Sequence, residues 1–198
     1  NVDKKFRNIA FSGIAFESSK VKKNNIFFAI KGKNFDGNNY IEDAIKKGAK
    51  IIVSEKKLLK KRPNLVFLFS SNVRKLLAET SQKILYKKPK KLVAVTGTNG
   101  KSSITDFYYQ ILKLNSKKVA SIGTIGLKYK DKNKTLDNTT SNPVYLSFIL
   151  NELWKKKIEF VIMEASSHGL DQNRLDGLIF DVGIFTNLSH DHLDYHKN

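Results

Sequence analysis

A glycine-rich segment between an apolar run and an amphipathic stretch is the strongest constraint on the fold of this chain. It reads Val95-Thr96-Gly97-Thr98-Asn99-Gly100-Lys101-Ser102, between a predicted strand over 91–96 and a predicted helix over 102–114. In such a loop, backbone N–H groups and the positive end of a helix can converge on an anion, because glycine permits close approach. The segment therefore predicts a strand, a phosphate-binding loop and a helix in succession.

The spacing in this loop departs from the general nucleotide-binding pattern. That pattern requires a glycine five residues before Gly100, where this chain has Val95, and the first glycine comes at Gly97. The alternative to a phosphate-binding loop is a glycine-rich turn that lysine and serine follow by coincidence. The flanking strand and helix favour phosphate binding, with Lys101 on the β- and γ-phosphates and the Ser102 hydroxyl on Mg²⁺.

The rest of the chain alternates short apolar runs with helical patterns. The predicted strands are 26–30, 50–54, 65–69, 91–96, 119–122, 160–163 and 181–185, and the predicted helices are 40–47, 73–85, 102–114 and 143–154. Such alternation predicts an α/β fold: a small N-terminal α/β domain, then a doubly wound, mostly parallel sheet with the phosphate loop. A polar, proline-containing stretch near residue 88 predicts domains over 1–88 and 89–198.

The composition excludes several chemistries. The chain has 198 residues and no cysteine, so thiol catalysis and Cys-ligated metal sites are excluded within this sequence. The lack of cysteine fits a reducing, cytoplasmic location. No apolar run approaches the roughly 18 residues that cross a bilayer, so no membrane insertion is expected.

The net charge of +18 would by itself favour a nucleic-acid or membrane-surface partner. However, only four residues are arginine, although proteins that read nucleic acid favour arginine for its planar, two-pronged guanidinium group. The lysines are also spread along the chain. A lysine-rich proteome bias is the simpler interpretation, so no nucleic-acid partner is expected. A basic surface would still attract a polyanionic small substrate.

Ionisable residues follow two predicted strands, at the edge where open α/β sheets bind ligands. Glu164 directly follows the apolar run 160–163. Burying a carboxylate there costs free energy unless it pairs with a cation, so Glu164 is a candidate metal ligand or water-orienting group. Segment 189–194 contains two histidines and two aspartates. For Glu164, the alternative is a carboxylate held by backbone amides at the next helix. For segment 189–194, the alternative is a solvated polar loop. Beside a phosphate loop, Mg²⁺ is favoured over structural zinc.

Two hydroxyl-rich segments, 138–141 and 165–169, suit an anionic or sugar ligand. Simple helix capping is the alternative for both. A catalytic triad within 166–171 is not favoured, because adjacency in sequence says little about triad geometry.

These residues resemble the Mur ligase superfamily of ATP-dependent, amide-forming enzymes. The loop Gly97 to Ser102 matches that superfamily's own phosphate loop. More specifically, the chain resembles the branch that adds the third residue of the peptide stem, the UDP-N-acetylmuramoyl-tripeptide synthetases (MurE type). The segments that carry this resemblance are 17–21, 32–37, 122–126, 138–140, 163–170 with Gln172 and Arg174, and 185–188 leading to 191–196.

The resemblance implies roles for individual residues. Those implied to bind ATP are Gly97, Thr98, Asn99, Gly100, Lys101, Ser102 and Ser103. Those implied to hold Mg²⁺ are Ser102, Glu164 and His192, and the implied catalytic residues are Lys101, Glu164 and His192. Those implied to contact the nucleotide-sugar substrate are Phe16, Ser18, Lys33, Asn34 and Phe35 at its uridine end, and Asn138, Thr139, Thr140, Ser166, Gln172 and Arg174 at its sugar and dipeptide end.

Two positions depart from the family pattern. Glu17-Ser18-Ser19 stands where the family commonly has Asp-Ser-Arg, and Ser102 replaces the usual threonine but keeps the hydroxyl. By the resemblance, a metal-bridging carboxylated lysine and a third domain are expected beyond Asn198. This segment alone is therefore not expected to catalyse the whole reaction.

The implied function is ATP-dependent addition of an amino acid to UDP-N-acetylmuramoyl-L-alanyl-D-glutamate, through an acyl phosphate, in peptidoglycan precursor synthesis. The amino acid is expected to be a diamino acid such as meso-diaminopimelate, or lysine, and the protein is expected to be a cytoplasmic monomer. The alternatives are another Mur or folylpolyglutamate-type ligase, and a basic P-loop protein that binds nucleic acid. The sequence does not determine which amino acid is added.

Overall fold

Residues 9–32, 35–57, 62–84 and 87–196 are described by a computed structural model of the chain. The chain divides into two compact units, the first ending at Leu77 and the second beginning at Ala78. The domain assignment over 1–88 and 89–198 remains a prediction. Within the described ranges, no helix has the length and apolar character that crossing a membrane requires.

The first unit contains a parallel sheet of four strands in chain order: β1 Gly13–Ala15, β2 Asn25–Ala29, β3 Ile51–Ser54 and β4 Val66–Phe69. Helix α1 spans Ile41–Lys46 after a 3-10 turn over Gly37–Tyr40. Helix α2 spans Val73–Ile84, so the division between the units falls within it, and the Asn72 side chain caps it by accepting the backbone N–H of Lys75 at 2.8 Å. Strands β2 and β3 are buried throughout, as continuous apolar runs in parallel sheets usually are.

The second unit contains a six-stranded sheet. Its strands are β5 Lys91–Thr96, β6 Val119–Gly123, β7 Gly126–Tyr129, β8 Lys132–Lys134, β9 Phe160–Glu164 and β10 Val182–Phe185. They lie in the order β10-β5-β9-β6-β7-β8, parallel from β10 to β6 and antiparallel from β6 to β8. Its remaining helices are α3 Lys101–Leu114, α4 Pro143–Lys155, α5 Ser167–Asp171 and α6 Leu193–His196.

Side chains alternate between the two faces of the sheet along the central strands, so one face packs against α4 and the other against α3. Leu92 and Val161 belong to a core cluster with residues of α4, whereas Val93 and Ile162 pack with Ile104 of α3. Helices thus cover both faces, so the predicted doubly wound, mostly parallel sheet is confirmed.

The predicted elements differ from the observed ones mainly at their ends. Helix α3 begins at Lys101 rather than at residue 102, and β9 includes Glu164. Strands β1, β7 and β8 and helices α5 and α6 were not predicted, because segments of three to five residues are too short to show a periodicity. The extension of β9 matters, because residues two apart in a strand share a face. Glu164 therefore lies on the same side of the sheet as Ile162 and α3.

Candidate nucleotide and metal site

A cavity of about 1140 Å³ lies at the carboxyl ends of β5, β9 and β10. Small-molecule sites commonly measure about 300–1000 Å³, so a nucleotide fits. The predicted site residues in its lining are Gly97, Thr98, Asn99, Gly100, Lys101, Ser102, Ser103, Thr139, Glu164, Ser166 and His192. Four others, Asn138, Thr140, Gln172 and Arg174, belong to the same unit but lie outside this lining.

Lys101 is held within the phosphate loop at the start of α3. Its ammonium donates to the carbonyl oxygens of Gly97 and Thr98, both at 2.7 Å. The N-cap of α3 is Gly100, which offers no side-chain cap, and the first N–H groups of a helix have no intrahelical partner. A cation and a positive helix end therefore meet at the cavity wall, an arrangement that suits a phosphate chain.

The segment that follows β10 braces the phosphate loop. The N–H groups of Thr98 and Asn99 donate to the carbonyl and side-chain oxygens of Asn187, at 2.9 and 3.0 Å. The Thr186 hydroxyl donates to the carbonyl of Asn99 at 2.7 Å. A Cβ at Gly97 would overlap the Thr186 hydroxyl, so only glycine fits against this brace. The backbone N–H groups of Thr98 and Asn99 are therefore already hydrogen-bonded to Asn187. The N–H groups at the start of α3 are the main ones left to contact a phosphate.

Glu164 is 2% exposed at the end of β9, and three donors satisfy its carboxylate. One oxygen accepts the backbone N–H of Thr124 at 2.9 Å. The other accepts the hydroxyls of Ser102 at 2.9 Å and Thr124 at 3.1 Å. A Cβ at Gly123 would overlap this carboxylate, so the close approach of β6 requires glycine there. A backbone amide of Thr124, rather than of the next helix, thus holds one oxygen while the other pairs with Ser102, and the role of Glu164 as a metal ligand remains a prediction.

The residues around Glu164 fit a magnesium site. Mg²⁺ prefers oxygen ligands and usually takes one or two protein carboxylates together with substrate phosphates and water. Ser102 and Glu164 place a hydroxyl and a carboxylate oxygen 2.9 Å apart beside the phosphate loop. In the described part of the chain, no group of three or more Asp, Glu, His or Cys residues is arranged to hold a metal.

His192 lies on another part of the cavity wall, within a cluster of aromatic rings. Its ring meets that of His168 edge to face, with centroids 4.6 Å apart, and its backbone N–H donates to Asp191. Burial, with the charges of His192 and His196 nearby, lowers the pKa of His168. The role of His192 as a metal ligand remains a prediction.

The residues predicted for the sugar and dipeptide end form a network that starts at Glu164. The Thr140 hydroxyl donates to the Glu164 carbonyl at 2.9 Å and accepts the backbone N–H of Ser166, also at 2.9 Å. Arg174 donates to the Thr140 carbonyl at 2.6 Å and to the Gln172 side chain at 2.8 Å. Thr140 is buried, so its hydroxyl serves to fix the loop, whereas Thr139 and Ser166 reach the cavity.

The residues predicted for the uridine end belong to the first unit. Phe16 and Ser18 are half-buried, and Phe35 is exposed. Lys33 and Asn34 lie outside the described residues. Beside Phe35, the backbone N–H and side chain of Asn38 donate to Asp36 and lower its pKa to about 2.

Sequence reasoning missed two residues of the site. Thr124 supplies two of the three donors to Glu164, and Asn187 braces the phosphate loop. Each follows a strand at the ligand-binding edge of the sheet, and that position was the signal available for finding them.

Two models of known protein families match the chain. The Mur ligase middle domain matches residues 95–198, which is more than half of the chain, and the Mur ligase family catalytic domain matches residues 10–96. The chain belongs to the Mur ligase family. The resemblance found in the phosphate loop and the strand-end segments is thereby confirmed.

Individual Mur ligases are similar to this chain over nearly its whole length. A Buchnera aphidicola protein named UDP-N-acetylmuramoyl-L-alanyl-D-glutamate--2,6-diaminopimelate ligase is 42% identical over 197 residues, covering 95% of this chain and 39% of that protein. A Rickettsia prowazekii protein of the same name is 40% identical, covering 99% and 41%. A solved structure with that name has a TM-score of 0.84 at 31% identity, covering 99% and 40%. The chain thus spans about two fifths of the length of these Mur ligases.

Proposed function

We propose that this chain is part of a cytoplasmic Mur ligase that uses ATP to join diaminopimelate to UDP-N-acetylmuramoyl-L-alanyl-D-glutamate in peptidoglycan precursor synthesis. The observation that carries the proposal is the pairing of the Ser102 hydroxyl with the buried Glu164 carboxylate beside the Lys101 loop. This arrangement suits a triphosphate with a hard cation. The names of the relatives supply the two substrates.

The reaction requires two displacements. A carboxylate oxygen of the UDP-sugar dipeptide attacks the γ-phosphorus of ATP, the bond to the β,γ-bridging oxygen breaks, and ADP leaves an acyl phosphate behind. The amine of diaminopimelate then attacks the acyl carbon, and inorganic phosphate and a proton leave. Both reactants of the first step are anions, so its barrier is largely electrostatic.

The residues of the cavity would lower that barrier by placing positive charge where negative charge develops. Lys101 and the N–H groups at the start of α3 would hold the β- and γ-phosphate oxygens. Ser102 and Glu164 would hold Mg²⁺, with His192 serving a further ion, and the metal supplies charge to the phosphate oxygens when bound. Thr124 would keep the Glu164 carboxylate aimed at Ser102.

Different residues are proposed for the two ends of the acceptor substrate. Thr139 and Ser166, which line the cavity, would hold its sugar and dipeptide end, with Asn138 beside them and Gln172 and Arg174 supporting the loop. Phe16, Ser18, Lys33, Asn34 and Phe35 are proposed for the uridine end.

The test is a measurement of ADP formation by the full-length protein. Repeated turnover to ADP is expected only when UDP-N-acetylmuramoyl-L-alanyl-D-glutamate and diaminopimelate are both present. Without diaminopimelate the first displacement yields at most one ADP per enzyme, because the acyl phosphate then stays in the site. Replacing diaminopimelate with lysine is expected to slow the reaction. ADP formation that needs neither substrate and is stimulated by an oligonucleotide would contradict the proposal and favour a nucleic-acid-dependent ATPase.

Arg174→Ala is expected to raise the KM for the UDP-sugar dipeptide and leave the KM for ATP nearly unchanged. The guanidinium fixes the Thr140 carbonyl and the Gln172 side chain, so its loss frees this loop, and we expect that KM to rise by roughly tenfold to a hundredfold, the equivalent of one hydrogen bond from a charged donor. Steady-state kinetics with each substrate varied in turn measures both constants. Arg62→Ala, which removes an exposed ion pair with Glu42 in the first unit, is the control. Equal changes in both constants would argue against a local role.

A further inference from the structure

Three lysine-rich segments meet at the amino-terminal edge of the six-stranded sheet. The carbonyl of Lys118 accepts the N–H groups of Glu159 and Phe160 at 2.8 and 3.1 Å, and the carbonyl of Glu159 accepts that of Lys91 at 3.0 Å. Segments 87–91, 117–118 and 155–159 are therefore neighbours. The lysines of this basic edge are Lys87, Lys88, Lys90, Lys91, Lys117, Lys118, Lys155, Lys156 and Lys157.

The carboxylates of the basic edge neutralise only part of its charge. Its nine lysines meet three carboxylates, which leaves a net of six positive charges. Asp181 pairs with Lys91 at 2.8 Å, Glu152 pairs with Lys155 at 2.8 Å and Lys156 at 3.7 Å, and Glu159 stands 4.0 Å from Lys90. This edge thus carries a third of the net charge of the chain in one part of its surface.

Exposed apolar side chains lie among these lysines. The ammonium of Lys87 is 4.4 Å from the ring centroid of Trp154, and that of Lys88 donates to the carbonyl of Ile179 at 3.1 Å. Trp154 is 40% exposed and Ile179 is 75% exposed. The basic edge therefore combines a lysine cluster with an interfacial tryptophan and an aliphatic side chain.

This combination fits an anionic lipid surface. Clustered lysines are attracted to acidic headgroups, and tryptophan favours the boundary between headgroups and acyl chains. Sites that read nucleic-acid bases instead favour arginine for its planar fork, and none of the lysine-rich segments contains one. We propose that the basic edge adsorbs to bilayers that contain anionic phospholipids, with Trp154 and Ile179 entering the headgroup layer and no segment spanning the bilayer.

Adsorption through this edge would leave the phosphate-loop cavity open to solvent. The cavity lies at the carboxyl ends of β5 and β9, whereas the basic edge lies at their amino ends. A strand of five or six residues separates the two by roughly 16–20 Å. The inference does not depend on the proposed catalytic activity.

The experiment uses the full chain and vesicles of two compositions: phosphatidylcholine alone, and phosphatidylcholine with phosphatidylglycerol in equal parts. Trp154 is the single tryptophan among the 198 residues, and the difference in emission between the parent and a Trp154→Phe variant reports on the basic edge. We expect co-sedimentation and a blue shift of the emission with the phosphatidylglycerol vesicles alone, both weakened by added salt.

Two matched variants separate the basic edge from net charge. The first combines Lys90→Gln, Lys117→Gln, Lys118→Gln and Lys157→Gln. The second neutralises four exposed lysines elsewhere, Lys22→Gln, Lys23→Gln, Lys130→Gln and Lys132→Gln. At roughly fivefold per lysine, the first variant is expected to bind several hundredfold more weakly, and the second nearly as well as the parent chain.

Three results would overturn the proposal. Equal losses in both variants would mean that net charge, rather than this edge, attracts the vesicles. Sedimentation without a change in Trp154 emission would place the contact elsewhere. Tight binding to an oligonucleotide, with no binding to phosphatidylglycerol vesicles, would assign the edge to nucleic acid.

Discussion

Lys101→Ala is expected to lower the rate of ADP formation by the full-length protein by roughly a hundredfold to a thousandfold, the usual cost of removing one preorganised group that stabilises developing negative charge. The loop already holds this ammonium in place through the carbonyls of Gly97 and Thr98, so its role requires little rearrangement. The fold should persist, because the side chain bonds only to loop carbonyls at the cavity wall. Turnover under saturating substrates measures the effect, and circular dichroism checks the fold.

The matched control for this variant is Lys132→Ala. Lys132 is an exposed lysine of β8, outside the lining of the cavity, so its loss removes the same charge without touching the phosphate loop. Turnover should stay close to that of the parent. If Lys101→Ala turned over as fast as Lys132→Ala, the assignment of Lys101 to the phosphates would be wrong.

The parts of the fold that the sequence predicts are those with long, regular patterns. The apolar runs at 91–96 and 160–163 and the amphipathic stretch at 102–114 identify β5, β9 and α3. Glu164 could be singled out because a carboxylate that ends a buried strand needs a partner. These features depend on local sequence alone.

The partners of these residues could not be predicted in the same way, because they depend on strand order. Glu164 meets Thr124 only because β6 lies next to β9, although 40 residues separate the two in the chain. Asn187 braces the phosphate loop only because β10 lies next to β5. Sequence patterns indicate that strands are present but do not fix which pairs are neighbours, so side chains from distant segments remain unassigned.

Glu164→Gln is expected to lower ADP formation by roughly a hundredfold or more and to raise the Mg²⁺ concentration that gives the half-maximal rate. Glutamine keeps the shape of the side chain but removes its charge and one acceptor, while Thr124 and Ser102 supply three donors. The amide group cannot accept from all of them, so the Ser102 hydroxyl loses its fixed position. Titration of Mg²⁺ at saturating ATP measures the shift.

Glu159→Gln provides the control at the other end of the same strand. Glu159 directly precedes β9 and stands 4.0 Å from Lys90, on the edge opposite the cavity, so its neutralisation should leave the Mg²⁺ dependence unchanged. If the Mg²⁺ dependence of Glu164→Gln were unchanged as well, the assignment of this carboxylate to the metal site would be wrong.

Gly123→Ala tests the same carboxylate from the neighbouring strand without altering its charge. A methyl group at this position would overlap the Glu164 side chain, which must move away from Thr124 and Ser102. The Mg²⁺ requirement should therefore rise as it does in Glu164→Gln, although the negative charge is retained. A raised requirement in both variants would show that the position of the carboxylate matters as well as its charge, whereas a rise in Glu164→Gln alone would mean that charge near the phosphate loop is sufficient.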